Sequence, residues 1–130
     1  MYIPQGFGTM FPYIFVSKAA EYIEFLKKAF DAVELGRTTM PTGAVANARI
    51  RIGTTTFMIS EASAQLPATK GAFYLYVESA DAALDKAVSA GAAKMFAPMD
   101  MPYRDRQAGI TDPAGNIWWI SQRLVDAPYD

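Results

Sequence analysis

Tyrosines Tyr13, Tyr74 and Tyr103 and arginines Arg49, Arg51, Arg104 and Arg106 have the most to offer a reaction or a ligand. A phenol can pass a proton, and a planar guanidinium presents a fork of N–H donors that matches a carboxylate, phosphate or sulfonate. Neither His nor Cys occurs in the 130 residues. That removes the commonest general base, the commonest transition-metal ligand, thiolate nucleophiles and disulfides. The side chains that remain suit recognition better than acid–base work.

Twelve basic and thirteen acidic residues leave a net charge of −1, too even for broad attraction to nucleic acid or an anionic membrane. No run approaches the ~20 apolar residues needed to span a bilayer. The opening Met1-Tyr2-Ile3-Pro4-Gln5-Gly6 has neither the basic segment nor the apolar run of a signal peptide. These features predict a cytoplasmic protein whose partners are small molecules or a second copy of itself. With 52% hydrophobic and 19% charged residues, the chain can bury the core of a single domain over 1–130.

The elements that must position those side chains come in two copies. Phe11 to Val16 and Ala72 to Val77 both read as strands, and Val16 and Val77 stand 61 residues apart. Ser17 and Ser79 are predicted N-caps. Ala19, Tyr22, Ile23, Leu26, Ala29 and Phe30 follow the first at helical spacing, and Ala80, Ala83, Leu84, Ala87 and Val88 follow the second, with Gly91 to end it. Strands are expected at Val33 to Met40, Ala44 to Ile52 and Thr55 to Ser60, then at Lys94 to Pro98, Arg106 to Thr111 and Asn116 to Ser121. Asp112-Pro113-Ala114-Gly115 marks a tight turn. Ser60 and Ser121 again differ by 61, so an uninterrupted shift is expected from first strand to last. The result is an α+β domain of two βαβββ modules, about 9–61 and 72–123, joined by a linker over 62–71. An ordinary α+β sandwich with chance likeness between its strands is the alternative.

The sequence resembles the glyoxalase/bleomycin-resistance/dioxygenase (vicinal oxygen chelate) superfamily, particularly its PhnB-like branch. The likeness is carried by Phe11-Pro12-Tyr13-Ile14-Phe15-Val16-Ser17, Ile52-Gly53-Thr54, Leu75-Tyr76-Val77, Ala90-Gly91-Ala92 and Asp112-Pro113-Ala114-Gly115-Asn116-Ile117-Trp118. It implies modules that curve into an open barrel around a ligand cavity, often in a homodimer. It implies no single activity, because the fold hosts lyases, isomerases, dioxygenases and drug-sequestering proteins.

Metal-binding members of the superfamily place ligands at positions that fall here on Phe11, Met58, Ala72 and Trp119. None suits a hard cation, so no metal and no cofactor are expected. Glu61 is read as a solvated loop carboxylate, and Glu78, Asp81 and Asp85 as complements to a helix dipole. With those four positions on the cavity face, alternation adds Tyr13, Phe15, Thr56, Ser60, Tyr74, Tyr76, Ile117 and Ser121. The same rule turns Asn47, Arg49 and Arg51 inward, and the 61-residue shift adds Arg104 and Arg106. The predicted ligand-binding set is Tyr13, Asn47, Arg49, Met58, Ser60, Tyr74, Arg106 and Trp119.

The leading functional reading is a metal-free protein that sequesters or carries a planar, acidic organic molecule, held by Trp119 and the tyrosines and anchored by Arg49 or Arg106. Opposed to it, the aromatic residues simply fill the vacated metal site, and Arg49 and Arg51 pair with Glu34 or Asp105. An enzyme of the same superfamily, with an Arg stabilising an anion and a Tyr moving a proton, is the second reading, weakened by the lack of a buried carboxylate on the cavity face. In a third, an interaction module, Leu124 to Asp130 is a docking arm or a frayed end.

Overall fold

A computed structural model describes residues 1–130 and divides them into two compact units, Met1–Thr69 and Lys70–Asp130. The first contains β1 (Tyr13–Val16), α1 (Ala19–Phe30), β2 (Val33–Thr39), β3 (Val45–Ile52) and β4 (Thr55–Glu61). The second repeats the order with β5 (Ala72–Tyr76), α2 (Ala80–Ser89), β6 (Ala93–Asp100), β7 (Asp105–Thr111) and β8 (Ile117–Arg123). Each is a four-stranded sheet, ordered β1-β4-β3-β2 and β5-β8-β7-β6, with a parallel pair at one edge and antiparallel pairs elsewhere. The α+β class and the two tandem βαβββ modules predicted from the repeat are thus present.

Period-two alternation sorts each sheet into a helix-covered face and an open one. In the first unit Val16, Ala48, Ile50 and Ile59 are buried with Ile23 and Leu26 of α1, which packs on β1, β3 and β4. Ala108, Ile110, Trp118 and Ile120 are buried in the second, where Ala80, Leu84 and Ala87 of α2 face β6, β7 and β8. Trp118 is 4% exposed and donates from Nε1 to the Asp112 carboxylate at 2.8 Å. The large buried ring of the last strand is therefore Trp118, and Trp119 is only partly covered.

Both helices are capped from the last strand of their own unit. Glu61 accepts from the backbone N–H of Lys18 at 2.9 Å and Ala19 at 3.0 Å, so it satisfies donors that the helix itself leaves unpaired. It is the final residue of β4, and this corrects its reading as a solvated loop carboxylate. The N-cap position is Lys18, in a left-handed conformation, instead of the expected Ser17. In α2 the expected cap Ser79 accepts from Ala82 N at 3.2 Å, while Gln122 Oε1 accepts from Ala80 N at 3.1 Å. Glu61 and Gln122 occupy corresponding positions.

The uninterrupted 61-residue shift is also corrected. Tyr13 pairs with Met58 and Tyr74 with Trp119, so the outer pair keeps a shift of 61 (13 to 74, 58 to 119). Arg49 pairs with Met58, but Gly109 pairs with Trp119, so β3 and β7 are related by 60 (49 to 109). One residue is recovered in the final turn. Two residues, Gly53 and Thr54, separate Ile52 from its partner Thr55, whereas Pro113, Ala114 and Gly115 separate Asp112 from Asn116, which are bridged by Asp112 N to Asn116 O at 2.8 Å.

That single residue decides a face, because a one-residue slip reverses every side chain of a strand. Arg106 shares the helix-covered face with Ala108 and Ile110 and donates to Asp81 of α2 at 2.7 Å and to Asp100 at 3.0 Å. Its predicted place among the inward-facing residues is wrong. Arg104 lies outside β7, exposed, at φ 67.

Candidate functional site

The helix-free face of the first unit carries a continuous chain of polar contacts. Ser60, on β4, donates to the backbone oxygen of Ala46 at 2.7 Å, which leaves its oxygen to accept from Tyr13 at 2.7 Å. Asn47 Nδ2 donates to the Tyr13 hydroxyl at 3.1 Å and to the Met58 sulfur at 3.4 Å. The Asn47 side-chain oxygen accepts from Arg49 Nη1 at 3.0 Å, and Thr38 Oγ1 accepts from the same nitrogen at 3.4 Å. Tyr13 also stacks on Phe15, with ring centroids 5.0 Å apart.

Arg49 is half-buried and is held only by neutral acceptors. The carboxylates expected to neutralise it are engaged elsewhere: Glu34 with Lys27 and Arg37, and Asp105 with Arg123. Gly36 stands opposite Arg49 in the β2–β3 ladder, and a Cβ there would lie 2.5 Å from Arg49 Nη2. The guanidinium occupies space that a side chain at this position would take.

In the second unit the corresponding face is organised around a buried carboxylate. Asp105, 0% exposed, accepts from Tyr74 at 2.5 Å, Tyr129 at 2.6 Å and Arg123 at 3.1 Å. Burial alone would push its carboxyl up; the Tyr129 and Tyr74 hydroxyls and the Arg123 guanidinium outweigh that and hold it below the usual carboxylate range. Burial, and then the hydrogen bond to the Asp105 carboxylate, push the Tyr74 phenol up. Gln107 donates to Ser121 at 2.7 Å and accepts from Tyr103 at 2.5 Å. Phe96 faces Gly109 across the β6–β7 ladder, and a Cβ on that glycine would overlap its ring.

Of the predicted residues, the first unit brings Tyr13, Asn47, Arg49, Met58 and Ser60 together. Tyr74 and Trp119 are cross-strand partners in the second, and Arg106 is on its other face. Sequence reasoning missed Asp105, Gln107, Arg123 and Tyr129, and its statement that no carboxylate is buried on this face is overturned by Asp105. A signal for the correct register was available: Ala48-x-Ile50 recurs as Ala108-x-Ile110, at a shift of 60. Phe11, Met58, Ala72 and Trp119 carry no carboxylate or imidazole, and no three His, Cys, Asp or Glu side chains gather into a metal-binding group.

Residues 8–120 match the Glyoxalase/Bleomycin resistance protein/Dioxygenase superfamily, and the chain belongs to that family. It is 34% identical to Mb0911c, an uncharacterised protein of Mycobacterium bovis, over 92% of this chain and 86% of that one. Among solved structures it is similar to the product of Arabidopsis thaliana At5g48480, with TM-score 0.73, 25% identity and coverage of 88% of this chain and 98% of that one. TnmS3, an antibiotic-binding protein from Streptomyces sp. CB03234, shares the fold with TM-score 0.71 and 19% identity over 95% of this chain and 98% of its own.

Proposed function

We propose that this protein is a metal-free, small-molecule-binding member of the family, of the PhnB-like branch, that sequesters or carries a planar organic acid. Arg49 carries the reading: a half-buried guanidinium without a carboxylate partner, oriented by Asn47 and Thr38, has donors suited to an anion. Tyr13, Phe15 and Met58 offer the flat and polarizable surface beside it, and in the second unit Trp119 and Tyr74 offer another. The antibiotic-binding function of TnmS3 is consistent with such a role. Chemistry at Asp105 is disfavoured, because a carboxylate saturated by three donors and held low is a poor base. The protein acts in the cytoplasm as a homodimer of single-domain chains.

An anion gripped by Arg49 should gain about 1.5–3 kcal/mol from charge-assisted hydrogen bonds, which is about tenfold or more in affinity. Calorimetric titration of a panel of aromatic acids should show that loss in Arg49→Met and no change in Arg106→Met, whose guanidinium already has its carboxylates. If no acid binds, or if Arg49→Met binds as wild type does, the anion anchor is absent. Elemental analysis of protein purified without chelators should find metal well below one per chain, and sedimentation should give a dimer.

A further inference from the structure

The carboxy-terminal tail shows what the open face of the second unit can recognise. Tyr129 follows the end of β8 by six residues and returns to place its hydroxyl on Asp105 at 2.6 Å, with the Tyr76 hydroxyl 2.5 Å away. Arg123 lies over the face of the Tyr129 ring, its guanidinium carbon 4.2 Å from the centroid, and Tyr103 meets the ring edge-on at 6.5 Å between centroids. A phenol is thus read on three sides: a cation over the π face, an aromatic edge, and a buried carboxylate for the O–H.

Every group in that slot except the ring belongs to the body of the unit. Tyr76 lies on β5, Asp105 on β7 and Arg123 on β8, and Tyr103 is held by its bond to Gln107. The tail backbone is tied through the carbonyls of Ala127 and Pro128, both to Arg123. Tyr129 itself remains 48% exposed, so its departure uncovers little apolar surface. A side chain on a short tether occupies its slot at an effective concentration of order millimolar, and it masks the slot from weaker free ligands.

We infer that Tyr76, Tyr103, Asp105 and Arg123 form a phenol-binding site that the chain's own Tyr129 occupies as a tethered ligand. The ligand class is a neutral hydroxyaryl group: its O–H donates to Asp105 and its ring lies under Arg123. An ionised benzoate and toluene both lack an O–H to give Asp105. The site is independent of the anion anchor at Arg49.

The test uses the whole 130-residue chain and p-cresol as the probe, followed by calorimetry. Tyr129→Ala, a change in an exposed tail residue, should bind p-cresol about tenfold or more tighter than wild type, and should bind neither toluene nor benzoate measurably. Arg49→Met combined with Tyr129→Ala should keep the p-cresol affinity, which separates this site from the one proposed above. In wild type, millimolar p-cresol should speed removal of the last residues by a carboxypeptidase, because it frees the tail; toluene should not. Equal p-cresol affinity in wild type and Tyr129→Ala, or toluene binding as well as p-cresol, would overturn the inference.

Discussion

The two units use one scaffold to manage opposite charges. Tyr13, Asn47, Met58 and Ser60 of the first correspond to Tyr74, Gln107, Trp119 and Ser121 of the second, and in both a hydroxyl, an amide and a phenol meet on the helix-free face, but the phenol at Gln107 is Tyr103, and Tyr74 turns to Asp105. The first then presents Arg49 without a counter-charge. The second has Asp105 where the 60-residue shift places Val45, and neutralises it with Arg123 and two phenols. The apolar positions under the helices correspond between the units, whereas the helix-free faces differ in charge. The fold therefore answers the charge of Asp105 from within its own unit and leaves that of Arg49 to neutral acceptors.

Removing the buried charge should have the largest effect on stability. Asp105→Ala takes from Arg123, with 19% of its side chain exposed, the carboxylate it pairs with and leaves it only carbonyl acceptors, and it removes the shared acceptor of Tyr74 and Tyr129; loss of one member of a buried pair costs about 3–5 kcal/mol. Its pH dependence has a definite sign. The folded Asp105 pKa lies below the unfolded value, so its contribution is fully present above the ordinary carboxylate range near pH ~4 and is lost as pH falls through the folded pKa. Denaturant unfolding from pH 7 down to 2 should show a steeper acid loss in wild type than in Asp105→Ala. Glu34 is also held low, first by Arg37, but that pair is part-exposed and should fade in 1 M salt while the Asp105 component persists. Identical acid profiles for wild type and Asp105→Ala would remove the buried carboxylate from the comparison.

Gly36 and Gly109 sharpen it further, because each lies under a large side chain from the neighbouring strand. In Gly109→Ala the new methyl meets the Phe96 ring, a stiff obstacle on the same sheet, and overpacking of this kind costs about 1–3 kcal/mol. In Gly36→Ala it meets only the flexible end of Arg49, and the lost backbone freedom of the unfolded chain returns about 0.4–1 kcal/mol. Thermal unfolding should therefore separate the two, with Gly36→Ala near wild type. Calorimetry should nevertheless show weaker aromatic-acid binding in Gly36→Ala, since Arg49 must swing away. A stable Gly36→Ala that binds as wild type would mean that the place of the guanidinium beside Gly36 is not needed.

Much of this was legible in the sequence, and the failures have a common cause. The helices and the split of each strand into two faces follow from local periodicity, and the βαβββ order of elements follows from the repeat. The Tyr13, Asn47 and Arg49 face follows too, because Ala48 and Ile50 anchor β3 without reference to the other module. The 61-residue shift puts Arg106 on the wrong face because the turn between β7 and β8 is longer by one residue than that between β3 and β4. Asp105 was missed for a different reason: its burial depends on Arg123 and Tyr129, far along the chain, and an aspartate at a strand start reads locally as surface. Glu61 likewise takes its role from a helix that begins 42 residues before it.

The caps provide the finest comparison, because corresponding residues do the same work with and without charge. Glu61 accepts from two N–H groups of α1, whereas Gln122 accepts from one of α2. An anion at a helix N-terminus gains about 0.3–1 kcal/mol over a neutral acceptor, so Glu61→Gln should cost that amount and Glu61→Ala about 0.5–2 kcal/mol. Gln122→Glu should not return the same benefit. Arg106 pairs with Gln122 in the β7–β8 ladder and is bound to Asp81 in the first turn of α2, so a carboxylate at 122 joins a site already supplied with negative charge. The expected result is a change within about 0.5 kcal/mol, the range of ordinary surface substitutions. Chemical denaturation of the three variants measures this directly. If Gln122→Glu stabilises by as much as Glu61→Gln destabilises, Asp81 does not share the α2 terminus, and the two caps differ in sequence without differing in electrostatics.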